Sequence, residues 1–127
     1  MKRKNPSFKM YSFGKYSAWD RESKLIPKIL EFTTEIKAAP GIEFGYVLQI
    51  KHGKGETVTF KIDHPPFTDK NGNITPPFTG EQFIRTNDFE FYIGDSIWEP
   101  VEDKLGNWEI TTFYRGKTIA QKTFKLK

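Results

Sequence analysis

Apolar side chains alternate with polar ones along much of the chain, which is the pattern of strands with one buried face. Between residues 42 and 62, two such runs flank a connection with two glycines, and we predict a hairpin over this stretch. The apolar positions of the two runs are Ile42, Phe44, Tyr46, Leu48 and Ile50, and then Val58, Phe60 and Ile62. Glycine suits the connection, residues 51–55, because it accepts positive φ angles without steric cost.

Other alternating runs extend this all-β pattern to both sides of the predicted hairpin. They predict a strand over 30–36, another over 89–93, and a terminal hairpin over 108–126. The dipeptide Arg115-Gly116 is typical of a tight turn and places the bend of the terminal hairpin.

Two strands carry signs of irregular pairing. The first strand, over 8–19, is apolar on both of its alternating faces, and Gly14 within it predicts a bulge or a close approach. In the last strand the apolar positions change parity between Ile119 and Phe124, which predicts a bulge there.

Proline, glycine and capping residues define the remaining segments. Residues 64–80 contain four prolines and two glycines and are predicted to be irregular. Residues 79–82 match a capping box and predict one short helical turn around 80–85. About seven short strands predict a two-sheet antiparallel sandwich of the immunoglobulin-like type, a single domain over 1–127 with a flexible start at 1–7. A closed barrel is the structural alternative.

Composition agrees with one packed domain and excludes several classes of protein. The chain has 127 residues, 36% of them hydrophobic and 16% aromatic, and no cysteine. A chain of this length can bury a substantial core, whereas disulfide frameworks, thiol catalysis and cysteine-based zinc sites are excluded. No apolar run resembles a signal peptide or a membrane span, so we expect a soluble cytoplasmic protein that does not contact a membrane.

Charge is unevenly distributed along the chain. The formal net charge is +4, yet residues 81–109 hold eight acidic and two basic side chains, and residues 110–127 hold five basic and no acidic ones. We expect the basic last strand to lie beside the acidic segment and to be compensated by it. Nucleic-acid binding is therefore not expected.

Several short strings resemble a known family. They are Pro40–Gly45, His64–Pro66 and Gly106–Ile110, the last followed by Gly116 and then by Ala120–Phe124. In this order they resemble the bacterial DUF3859 family, a domain of unknown function, over residues 10–126. The resemblance implies an immunoglobulin-like sandwich in a bacterial protein. It implies no activity, cofactor or catalytic residue.

Motifs of catalysis and metal binding are incomplete. Gly116-Lys117-Thr118 lacks the first glycine of a phosphate-binding loop, because Thr111 stands at that position. Asp69–Asn73 lies in a stretch that lacks the carboxylates required at both ends of a calcium loop. We therefore predict no catalytic residue, no metal and no cofactor, and we expect His64 to play a structural role where the chain enters the proline-rich loop.

The leading hypothesis is a non-enzymatic interaction module that binds an unknown protein or small molecule through the 64–80 loop. A carbohydrate- or peptide-binding module using exposed aromatic residues is the first alternative, since tryptophan offers a large rigid contact surface. A hydrolase that combines acidic residues with His64 is the second, and a homodimer through the first strand is a further hypothesis. The candidate ligand-binding residues are Trp19, His64, Phe67, Asp69, Asn71, Phe78 and Trp98.

Overall fold

The structure, a computed structural model, describes residues 5–19 and 25–127. Its strands are β1 (Ser7–Tyr16), β2 (Ile29–Glu31), β3 (Glu35–Ile36), β4 (Glu43–Lys51), β5 (Thr57–Asp63), β6 (Phe78–Phe83), β7 (Asp88–Ser96), β8 (Gly106–Tyr114) and β9 (Lys117–Leu126). One sheet has the order β2-β1-β4-β7, and the other has the order β3-β9-β8-β5-β6. A 3-10 turn covers Glu102–Lys104. Ser7 already pairs with Lys51, so the start predicted to be flexible gives way to a strand by residue 7.

The two sheets enclose one apolar core, as the predicted sandwich requires. In the first sheet, alternate residues of β4 point inward and are fully buried: Phe44, Tyr46, Leu48 and Ile50. Side chains from the second sheet meet them, among them Val58, Trp108, Ile110 and Phe124. The hydroxyls of Tyr46 and Thr112 lie 2.6 Å apart and join the sheets across this core. The all-β sandwich is therefore confirmed, with nine strands in the described residues in place of about seven.

The predicted 42–62 hairpin is wrong, because β4 and β5 belong to different sheets. The connection between the two strands forms backbone hydrogen bonds with a later part of the chain: His52 N–H donates to Asn87 O at 2.8 Å, and Gly55 N–H donates to Ile84 O at 2.9 Å. Alternation identifies the inward face of each strand but not its hydrogen-bonding partner. Two strands that face each other across a core show the same alternation as two that pair side by side.

Three local predictions fail because tertiary pairing overrides the local signal. The strand over 30–36 is two short strands in different sheets, and β3 pairs with β9 in parallel. The helical turn around 80–85 is wrong, since β6 lies there as an extended partner of β5. The irregular stretch 64–80 ends before Phe78, and within it Thr68 and Ile74 form an isolated bridge.

The irregular features of β1 have two separate causes. The register with β4 skips Tyr11, and this bulge places Phe13 on the inward face, against the core. Gly14 is instead a close approach: a Cβ there would lie 2.0 Å from Glu31 O, and its φ is +136°. The strand lies between β2 and β4, although β2 pairs only with Lys15 and Tyr16. The homodimer through this strand stays a prediction.

The terminal hairpin of β8 and β9 is confirmed. Arg115 and Gly116 form its turn with φ angles of 49° and 79°. The predicted bulge in the last strand is at Ile119, which the register skips. The expected pairing of the basic tail with the acidic segment is wrong in its main part, because β7 belongs to the opposite sheet. Lys127 instead bonds the carboxylate of Glu35 on β3 at 2.8 Å.

The buried tyrosines predict loss of stability in alkali. Burial raises the pKa of Tyr16 to about 12 and raises the pKa of Tyr46 further, since tyrosinate is poorly solvated there. Both folded values exceed the unfolded value of about 10, so this stabilisation is complete below pH 10 and is lost as the pH rises through 10 toward 12. We expect each group to contribute a slope of about 1.4 kcal/mol per pH unit in that window. Urea unfolding at several pH values should show a shallower decline for Tyr46→Phe than for the wild type, and equal slopes would contradict the assignment.

No helix in residues 5–19 and 25–127 is long and apolar enough to cross a membrane.

Candidate functional site

Within the described residues, β6 and β7 are the edge strands of their sheets on one side of the sandwich, and no strand joins the two sheets there. Between them lies a groove of about 490 Å³, which we call the aromatic groove. Its lining includes aromatic and aliphatic side chains with a few polar ones: Trp19, Phe60, Ile62, Phe78, Glu81, Gln82, Phe91, Tyr92, Gly94, Asp95 and Trp98. A concave, mainly apolar surface with few polar groups is the usual form of a ligand site.

The floor of the groove is the part of the core that the edge strands leave uncovered. Phe60 on β5 is only half-buried, because its edge-strand neighbour opposite is Gly80. A Cβ at Gly80 would lie 2.6 Å from the Phe60 ring, so the ring occupies the space of the missing side chain. Gly94 has the same relation to Tyr92, whose hydroxyl would lie 2.1 Å from a Cβ there. The rings of Phe60 and Tyr92 thus occupy space that a side chain at Gly80 or Gly94 would fill.

Two tryptophans flank the groove. Trp19 packs edge-on against Tyr92 with ring centroids 4.9 Å apart, and its indole N–H donates to Leu25 O at 2.9 Å. Trp98 follows β7 directly and is 38% exposed, whereas Trp108 in β8 is 1% exposed. Of the three tryptophans, Trp98 therefore offers an exposed face beside the groove while Trp108 serves the core.

Trp98 is held from behind by an aromatic cluster formed by His64, Phe67, Phe78, Trp98 and Trp108. Phe67 meets Trp98 edge-on with centroids 5.4 Å apart, and Trp108 lies 6.4 Å from Trp98. Edge-to-face contacts at these distances fix ring orientation and add stability beyond burial. Phe67, which is buried, and Phe78 thereby hold the proline-rich loop against the sandwich.

A buried lysine completes this support. The Lys104 side chain is 1% exposed, and its ammonium donates to Pro100 O at 2.7 Å and to Asp103 Oδ1 at 2.8 Å. The same nitrogen lies 4.6 Å from the centre of the Trp98 ring and 5.0 Å from that of Phe67. The carboxylate and the two ring faces compensate a charge that would otherwise be costly to bury.

The predicted structural role of His64 is confirmed. Its Nδ1 lies 2.8 Å from Pro65 O and its Nε2 lies 2.9 Å from Pro76 O, so the ring joins the two ends of the proline-rich loop. The ring also stacks on Phe67 at 4.3 Å. Both ring nitrogens thus face backbone carbonyls rather than a substrate.

Asp69 and Asn71 stabilise the tip of that loop. The Asp69 carboxylate accepts from the N–H groups of Asn71 at 2.8 Å and Asn73 at 3.0 Å, which is an Asx-type turn. Neither residue lines the aromatic groove. Within the described ranges, no group of three or more histidine or acidic side chains could hold a metal ion.

The seven predicted ligand-binding residues thus fall into three places. Trp19, Phe78 and Trp98 line the groove, His64 and Phe67 support it from behind, and Asp69 and Asn71 form the loop tip.

Sequence reasoning missed some residues of the site. The strand pattern assigned Phe60 and Phe91 to the core alone, and Glu81 was placed in a helical turn that does not exist. Lys104 was missed as well. The sequence does mark this residue, because it is the only basic residue between Arg85 and Arg115, in an otherwise acidic stretch.

A second concave surface, of about 490 Å³, lies at the C-terminal end of β5 and includes Asp63, His64 and Glu109. Asp63 and Glu109 lie directly opposite each other in the pairing of β5 with β8. Both are exposed, and the ring nitrogens of His64 are engaged by Pro65 and Pro76. The geometry does not direct the imidazole toward these carboxylates.

Comparison with solved structures defines the class of protein. The fold is similar to the crystal structure of an immunoglobulin-like protein from Pseudomonas aeruginosa, with a TM-score of 0.77 and 18% sequence identity over 98% of each chain. The chain therefore has an immunoglobulin-like β-sandwich fold, as predicted. The sequence model described as "Domain of unknown function (DUF3859)" matches residues 4–126, and the chain belongs to this family. No curated protein matches the chain.

Proposed function

We propose that the chain is a non-enzymatic binding module and that the aromatic groove is its ligand site. The observation that carries the proposal is the exposure of Trp98, 38% of whose surface is open to solvent beside an apolar groove. A large aromatic side chain held in one orientation at a concave surface binds a partner at low conformational cost. The aromatic cluster and Lys104 hold this ring in place before any ligand arrives.

This proposal moves the binding surface away from the loop that the sequence favoured. The 64–80 loop contributes Phe78 to the groove and Phe67 to its support. At the tip of the loop, the carboxylate of Asp69 accepts a hydrogen bond from within the loop itself. The hydrolase alternative has less support, because both ring nitrogens of His64 contact carbonyl oxygens. That the protein is cytoplasmic and that it comes from a bacterium both remain predictions.

Ligand screening with a matched pair of variants tests this function. A panel of short peptides and linear oligosaccharides is titrated into the chain, and tryptophan fluorescence reports binding. We expect Trp98→Ala to weaken any ligand of the groove at least about tenfold, since loss of an aromatic anchor at a binding site typically costs more than 1 kcal/mol. The control is Tyr11→Ala, which removes another exposed aromatic residue, 57% exposed and located on β1.

The two variants separate the outcomes. Ligands that lose affinity with Trp98→Ala and keep it with Tyr11→Ala support the groove. Ligands that bind both variants as tightly as the wild type would place the site elsewhere and contradict the proposal.

A further inference from the structure

We propose that the ligand of the aromatic groove is an extended peptide segment that pairs with β7 as an added strand, with apolar side chains facing inward and Lys or Arg facing outward. This inference rests on the proposed function and names its ligand class. It commits to a peptide partner because three features of this side agree: a sheet edge with which no strand of the described residues pairs, an apolar floor and the exposed carboxylate of Glu90.

The edge in question is the side of β7 that faces away from β4. The N–H of His52 donates to Asn87 O and the N–H of Ile97 donates to Ile42 O, so the odd-numbered residues of β7 bond toward β4. In an antiparallel pair the alternate residues point the other way. The backbone groups of Glu90 and Gly94 therefore face away from β4, and no strand in residues 5–19 and 25–127 pairs with that side. An extended peptide can satisfy such groups by strand addition.

The apolar floor supplies a place for alternate side chains of the added strand. Side chains of a strand point to opposite faces in turn, so every second residue of a peptide on β7 would face the groove. There it would meet Phe60, Phe78 and Phe91, beside the exposed face of Trp98. A β-branched or aliphatic side chain matches this surface.

The outward-facing side chains would meet negative charge. Glu90 is exposed on the outer face of β7, where its carboxylate accepts from Gln49 Nε2 at 3.2 Å. A cation placed across from Glu90 on a neighbouring strand would form a favourable cross-strand pair. Charge complementarity thus favours Lys or Arg at those positions.

A carbohydrate suits these features less well. Sugar hydroxyls require several converging hydrogen-bonding groups, whereas the groove wall offers few, and Gln82 Nε2 already donates to Phe83 O at 2.9 Å. Backbone donors and acceptors at a sheet edge match a peptide in spacing and direction.

The test uses an eight-residue peptide of alternating Lys and Val, acetylated and amidated at its ends, and the same peptide with Glu in place of Lys. Tryptophan fluorescence gives the affinity, and backbone amide shifts locate the contact. We expect the Lys peptide to bind at least about tenfold more tightly than the Glu peptide at low salt, and the difference to shrink as salt screens the charges.

Two variants of one residue isolate the backbone contact. Glu90→Ala removes the carboxylate alone, and Glu90→Pro also removes the outward N–H at a position where an edge strand tolerates proline. We expect Glu90→Pro to bind the Lys peptide about tenfold more weakly than Glu90→Ala, which corresponds to one lost hydrogen bond. Circular dichroism of both variants verifies that they fold.

Each outcome decides the inference. Charge-dependent binding that needs the Glu90 N–H supports it, and equal binding of the two peptides, or equal affinity of the two variants, overturns it. If an oligosaccharide shifts Trp98 while no peptide binds, the peptide inference fails and the binding module stands. If light scattering shows a dimer that Glu90→Pro dissociates, a second copy occupies the edge and the inference fails as well.

Discussion

Replacing Trp108 by alanine is expected to lower the free energy of unfolding by about 3–5 kcal/mol, the usual range for a buried tryptophan. The side chain is 1% exposed and packs at 5.4 Å against Phe44 of the opposite sheet. Its indole N–H donates to Lys104 O at 2.8 Å, which ties the 3-10 turn to β8. The substitution therefore removes core packing, a buried hydrogen bond and the support of Trp98 together.

Urea unfolding of Trp108→Ala and Trp108→Phe measures this effect. The phenylalanine variant keeps an aromatic ring but loses the donor, so we expect it to cost less, about 1–3 kcal/mol. Trp98→Ala serves as the comparison on the exposed side and should cost less than Trp108→Ala. A loss of under 1 kcal/mol for Trp108→Ala would contradict its place at the centre of the core.

Replacing Lys104 by alanine is expected to lower the free energy of unfolding by about 3 kcal/mol, although the residue is charged and lies in an acidic stretch. The change leaves a cavity where the buried aliphatic stem was. It also removes the bonds of the ammonium to Pro100 O and Asp103 Oδ1 and its contact with the ring of Trp98. An exposed lysine would give a change near zero.

Lys104→Met separates packing from charge. Methionine fills similar volume, and a well-packed apolar replacement of a buried charge is often close to neutral, so we expect a loss of about 1 kcal/mol. Urea unfolding gives both values, and Trp98 fluorescence should shift in both variants because the cation leaves its ring face. If Lys104→Ala changes stability by less than 0.5 kcal/mol, the lysine does not hold the cluster.

The sequence predicted the inward face of most strands because alternation records burial directly. It predicted β8 and β9 as a hairpin because their turn is local, and it failed for β4 and β5 because their partners lie elsewhere in the chain. Local capping residues favoured a helical turn at 80–85, and pairing with β5 overrode them. Pairing between strands that are distant in the chain is set by tertiary packing, which no local pattern records.

The groove was predictable only in part for the same reason. Trp19 and Trp98 were chosen because tryptophan offers a large rigid contact surface, and both line the groove. In the sequence, Phe60 is one of the alternating apolar residues assigned to the core. Its side chain is only half-buried because the residue opposite it on β6 is Gly80, which has no side chain. The burial of Lys104 depends on the ring of Phe67, which is more than thirty residues away in the chain, and on the nearby ring of Trp98. Contacts of this kind combine distant segments and leave no periodic signal.

Amide mapping tests the central claim, that the aromatic groove is the ligand site, most directly. A 1H–15N spectrum of the whole chain is followed while each member of the peptide and oligosaccharide panel is added. The groove predicts shifts in the indole N–H of Trp98 and in the amides of β6 and β7, with β3 and β9 unchanged. Shifts confined to the tip of the 64–80 loop or to β9, or no shift with any ligand, would contradict it.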